Sequence, residues 1–218
     1  MPTLAARRKP ASQRERRRER ELAARRDDVL GAASEVFAEK GYEAAQMGEI
    51  AARAELSTAT LYALFSGKDE LYAEVVGGAA GLIRDRVRAE VDALASARER
   101  LLAVIDSLYR CWDENQALLR IYARGTQGVP WRIREAMGES VVRIRDEFTR
   151  WVETLARAAQ REGQLAGLDA RVFALVLLGS AITAATDALE QPGGRPLREV
   201  AARVRACFER LLDAGPRP

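Results

Sequence analysis

The chain has 218 residues, 48% of them hydrophobic and 31% charged, with a formal net charge of +3. That is enough for one large domain or a small domain beside a larger one, and too apolar for wholesale disorder. There is no histidine, which excludes a His-based triad, a His metal site and a His general base. Cys111 and Cys207 fall at apolar-periodic positions and read as reduced, buried thiols of a cytosolic protein.

The charge is unevenly spread. Residues 1–26 hold ten Lys and Arg against three Glu, including Arg14, Arg16, Arg17, Arg18 and Arg20. Residues 27–72 hold only Lys40, Arg53 and Lys68 against nine acids. A basic block ahead of a folded domain is either a solvated tail or a nucleic-acid-binding arm. If the acidic segment after it meets DNA, the arm has to supply most of the long-range attraction to phosphate. Residues 1–26 are therefore expected to form a basic, flexible arm. No apolar stretch follows Arg7-Arg8-Lys9, so a secretory or twin-arginine signal is not expected, and the cytoplasm is the expected compartment.

From Asp27 to Lys40, Val29, Leu30, Ala33, Val36 and Phe37 recur at helical spacing, and Gly41 is a candidate left-handed C-cap. A second, short helix is expected over Met47–Ala54 with Ile50 and Ala51 inward. Ser57 can cap a third, whose apolar members are Leu61, Leu64 and Phe65. Ser66 with Asp69 suggests a capping box for the fourth. The second and third helices, joined by a tight turn at Glu55-Leu56, make a helix-turn-helix. With Leu61, Leu64 and Phe65 turned inward, Thr58, Ala59 and Ala63 are small enough to approach a groove closely.

The remainder reads as helical throughout. A long helix to about Ala95 carries Gly77, Gly78 and Gly81, which predict a kink or close packing. Ser96 with Glu99 is a capping box for the next helix, and Gln116–Arg124 is a short one ended by Gly125 and Gly128. Pro130 suits the start of a long helix carrying Ile133, Met137, Val141, Ile144, Phe148, Trp151 and Leu155. Val172–Leu189 is apolar all round, its uncharged run to Thr186 too short for a membrane span, and suggests a dimer interface as readily as a monomer core. Pro196 opens the last helix.

Tyr109, Trp112, Tyr122, Trp131, Met137, Phe148 and Trp151 concentrate aromatic and soft apolar surface in the larger unit, which suits either a core or an apolar or aromatic ligand. The few charges at these positions favour a neutral or flat aromatic compound. Neither a phosphate loop nor a nucleophile elbow occurs: Gly67-Lys68-Asp69 lacks the upstream glycine, and Gly179-Ser180 the required surroundings. An enzyme, a bound metal and a cofactor are accordingly not expected.

The stretch from Val29 to Leu71, with Phe37, Gly41-Tyr42, Ile50-Ala51, Leu61-Tyr62, Phe65 and Lys68 in register, resembles the TetR family of bacterial transcriptional regulators. The resemblance implies an all-α fold, with an N-terminal three-helix helix-turn-helix domain over residues 27–72 and a larger helical ligand-binding and dimerisation domain over 73–214. It further implies a homodimer on double-stranded, palindromic operator DNA, usually a repressor, released by a small-molecule effector. Thr58, Ala59, Thr60 and Ala63 would face the major groove while Tyr62 and Lys68 hold phosphates. Three positions depart from the family pattern: Glu55 replaces a turn glycine, Gln46 a capping threonine that also contacts phosphate, and Leu64 a frequent DNA-contacting His or Tyr. A dimeric helical adaptor, or a DNA-binding protein without a ligand, is the alternative.

Overall fold

The computed structural model describes residues 13–126, 133–191 and 195–213, without the side chains of Glu15, Thr126 and residues 133–137. Among the described residues every regular element is a helix: α1 Gln13–Ala44, α2 Met47–Arg53, α3 Thr58–Leu64, α4 Lys68–Asp92, α5 Ala97–Glu114, α6 Gln116–Thr126, α7 Ile133–Arg161, α8 Ala170–Glu190 and α9 Leu197–Asp213. Residues 13–26, expected as part of a flexible arm, are continuous with α1. They consist of Arg, Glu, Gln, Leu and Ala, all good helix formers, and neither Gly nor Pro occurs from Gln13 to Leu30. Arg7, Arg8 and Lys9 lie outside the described residues.

Several helix ends differ from the sequence expectation. Gly41 has φ 78° and ψ 171°, so it bends α1 without ending it, and the helix resumes to Ala44. Ser57 caps α3, its hydroxyl accepting from Thr60 N at 3.1 Å. Ser66 does not cap α4. Instead Gly67 precedes the helix, and the Ser66 amide and hydroxyl both donate to Glu70 at 2.6 Å, holding that carboxyl below its ordinary range. Ser96 and Glu99 form the expected capping box, and Asp169 caps α8 through Val172 N. Gly138, at φ 77°, interrupts α7 within its apolar periodicity. Of the three α4 glycines, Gly77 is closely packed: a Cβ there would stand 3.3 Å from Ser140 Oγ of α7.

Two apolar cores organise the chain. The first joins α4, α5, α7, α8 and α9 around Leu101, Leu102, Ile105, Val152, Leu155 and Leu177. The second holds the helix-turn-helix around Val29, Val36, Phe37, Ile50, Leu61, Phe65 and Leu71, and also takes in Leu118 and Ile121 of α6 and Val141 and Val142 of α7. Each fully buried side chain of this size contributes roughly 1.5–3 kcal/mol. The boundary expected at residue 72 is therefore not a gap in packing: α4 runs through it, and α6 packs on α1.

Cys111 is buried, which pushes its thiol up, whereas Cys207 is exposed, contrary to expectation. It lies on the outer side of α9, where the helix leaves Leu211 exposed too. Helix α8, capped at Asp169 and carried on to Glu190, is 21 residues long, enough by length and composition to cross a membrane. Its uncharged run alone understated this. Its inner face packs on α7 and α9 in the first core, while Val172, Leu175 and Val176 stay more than half exposed.

Candidate nucleic-acid interface and ligand cavity

Helix α3 is held from one side only. Leu61 and Phe65 are fully buried and Leu64 is half-buried, so Thr58, Ala59, Tyr62 and Ala63 are left exposed, Tyr62 by 52%. The exposed face has three small side chains, Thr58, Ala59 and Ala63, and one aromatic hydroxyl, that of Tyr62. Thr60 is half-buried and its hydroxyl is engaged with Ser57 Oγ at 2.8 Å, so it serves the cap and is turned from the open face. Gln46 is exposed at the N-cap of α2 and makes no side-chain cap bond. In the turn between α2 and α3, Glu55 has φ 56°. The left-handed turn is thus kept without its glycine, at about 1–2 kcal/mol.

Lys68 is the first residue of α4 and is half-buried. Its ammonium donates to the carbonyls of Tyr42 at 2.9 Å, Glu43 at 3.2 Å and Ala45 at 3.3 Å, and lies 4.5 Å from the centre of the Tyr42 ring. All three protons are directed at the end of α1, where the last carbonyls of a helix concentrate negative charge. The Tyr42 hydroxyl donates to Asp69, so α4 closes on α1 from both sides of this contact. Lys68 thus links the start of α4 to the end of α1.

The other cations of residues 27–72 are also held internally. Lys40 bonds Glu49 at 2.8 Å, and Arg53 grips Glu39 with two bonds of 2.8 and 2.9 Å, holding that carboxyl below its ordinary range. Arg26, grouped by composition with the basic arm, proves to be a junction. It donates to Leu64 O at the end of α3 (2.5 Å) and to the Glu74 carboxylate of α4, and its guanidinium stacks 4.1 Å over the Phe65 ring. The clue in the sequence is its spacing, three residues before Val29 on the inner face of α1. By contrast Arg14, Arg16, Arg17, Arg18, Arg20 and Arg25 are exposed along α1, Arg17 pairing with Glu21 at 2.9 Å.

A cavity of about 180 Å³ opens where the two cores meet. Trp112, Tyr122 and Phe148 line it, together with aliphatic side chains of α4, α6 and α7 such as Ile83, Leu119 and Ile144. Tyr109 does not: it is buried, its ring meets Trp112 edge-on at 5.3 Å, and its hydroxyl donates to Ala181 O at 2.9 Å. Burial raises that hydroxyl's pKa, as it does that of Tyr72, which is pushed up to about 12. Trp151 is likewise a core residue, packed on Phe148 and facing the Arg88 guanidinium. Trp131 and the Met137 side chain lie outside the described residues. Attention to aromatic residues missed the aliphatic wall, and the expected absence of charge does not hold, because Arg84 and Arg145 also line the cavity. Both are paired, Arg84 with Asp85 and Glu147 and Arg145 with Asp146.

Helix α3, anchored from one side with a small-residue outer face, is the second helix of a helix-turn-helix that is joined through α4 to an all-helical unit. Residues 29–75 match the bacterial regulatory proteins of the tetR family. The chain is 41% identical over 85 residues to the HTH-type transcriptional activator FasR of Mycolicibacterium smegmatis, covering 39% of each chain. It is 28% identical over 131 residues to the HTH-type transcriptional repressor KstR2 of Mycobacterium tuberculosis, covering 60% of this chain and 64% of that one. Both matches span less than two thirds of the relative's length. Over the whole fold it resembles the crystal structure of the transcriptional regulator FadR from Bacillus subtilis in complex with stearoyl-CoA, with a TM-score of 0.71, 20% identity, and coverage of 87% of this chain and 98% of that one.

Proposed function

We propose that this protein is a sequence-specific transcriptional regulator of the bacterial cytoplasm, a repressor that binds a palindromic operator as a homodimer and is released by a small hydrophobic ligand. The observation that carries the reading is the α3 face: Thr58, Ala59 and Ala63 exposed with Tyr62 at the flank, over the buried Leu61 and Phe65. Thr58 can bond a base edge, the alanines can meet a thymine methyl, and the Tyr62 hydroxyl can reach a phosphate oxygen. Duplexes selected from a random pool by the purified protein should converge on two inverted half-sites about one helical turn, or a multiple, apart. Failure of any duplex to be enriched at moderate salt would overturn the reading.

The ligand enters the cavity between the cores. Val76 and Leu118 line it and also belong to the DNA-binding core, so an occupant presses on α4 and α6, and α6 packs directly on α1. The apolar wall, and stearoyl-CoA bound to a protein of the same fold, support a long-chain acyl ligand. Stearoyl-CoA at one hundred times its Kd should stabilise the protein by about 2.7 kcal/mol. Ile144→Trp, which fills the cavity, should abolish that thermal shift while leaving selection of the same duplex intact. An undiminished shift in this variant would place the ligand elsewhere.

A further inference from the structure

We infer that residues 13–25 of α1 form a rigid helical lever that grips the phosphates beside the groove read by α3, in place of the flexible tether that a basic N-terminal segment suggests. The inference rests on the proposed DNA binding and deepens it by naming how the charge is delivered. Lys40, Arg53 and Lys68, the only cations of residues 27–72, are all bonded to acids or carbonyls of their own domain. That domain carries nine acids, so its net field repels a duplex. The arginines of the first half of α1 are the positive surface next to the α3 face.

Geometry ties this surface to the recognition helix. Arg26, at the base of the extension, bonds the last carbonyl of α3 and stacks on Phe65 while also reaching Glu74. The extension therefore leaves the domain beside the C-terminal end of α3, in a direction fixed by three contacts. Thirteen residues at 1.5 Å each reach about 20 Å, more than half a turn of B-DNA. At 3.6 residues per turn Arg14, Arg18 and Arg25 share one face, adjacent to the face that carries Arg26. No Gly or Pro interrupts residues 13–30, so that face keeps its register with the domain.

A lever and a tether differ in their response to a change of register. Insertion of two alanines after Ala24 turns Arg14–Arg20 by about 200° and keeps both helix and charge. The paired substitution Ala23→Gly with Ala24→Gly keeps register and charge but removes stiffness. Binding to the duplex selected by the unmodified full chain is measured against salt, with melting temperature as the check on folding. For a lever, both variants bind more weakly, and the insertion lowers the slope of log K on log salt by about 1.8 per chain, about 0.9 for each of the phosphates held by Arg14 and Arg18. Unchanged affinity and slope in both variants, with the unmodified protein binding normally, overturns the lever and leaves the function standing. Absence of binding by the unmodified protein overturns both.

Discussion

Val176→Glu is expected to convert the protein to a folded monomer and to reduce its affinity for the two-half-site operator by several orders of magnitude. Val172, Leu175 and Val176 are 56%, 51% and 52% exposed on one face of α8, at the i, i+3, i+4 spacing of a helix stripe. On α9, Leu211 is exposed as well. A second copy covering this face about a two-fold axis buries each residue twice, and since these side chains are about half exposed, the three α8 positions together contribute roughly 5–9 kcal/mol. A carboxylate from each copy near that axis loses its water and meets its twin, a cost of several kcal/mol. The inner face of α8 is untouched, so the monomer should keep its helicity. Light scattering gives the mass, and titration of one-half-site and two-half-site duplexes separates loss of pairing from loss of recognition. A wild-type monomer, or a Val176→Glu dimer with unchanged operator affinity, would show that the face serves some other purpose.

Lys68→Met is expected to lower stability by about 2–4 kcal/mol, since the side chain keeps its length but loses three charge-assisted bonds to the end of α1 in a half-exposed setting. Duplex affinity should then fall only as far as the folded fraction falls, with the salt slope unchanged. A phosphate-binding Lys68 gives the reverse: normal denaturant midpoint and a slope lower by about 0.9 per chain. Urea titration together with a salt series distinguishes the two outcomes.

Most of the helices are legible from local signals. The run from Val29 to Phe37, the Ser57 cap and the Ser96-Glu99 capping box each depend on residues within one or two turns, and each lies where its pattern indicates. Harder to read are features with one partner far along the chain. Arg26 sits 38 residues from Leu64 and 48 from Glu74, and Lys68 sits 26 from Tyr42. Charge summed by segment groups Arg26 with the arm, and the motif around Lys68 does not reveal its bonds to the end of α1, because neither contains the distance between helices. The cavity wall is similar: its aromatic members stand out in composition, but Ile83, Leu119 and Ile144 look like any core residue until the packing leaves space beside them.

The residues alone determine that this chain is all-helical, begins with a basic segment, folds a helix-turn-helix over its acidic part and presents small side chains on α3, because periodicity, caps and side-chain size act over a few residues. Only the tertiary structure decides that the basic segment extends α1, that Lys68 fastens two helices, and that the cavity touches both cores. Those outcomes depend on which helix ends and faces meet, and these encounters are set by the packing of the whole chain at once.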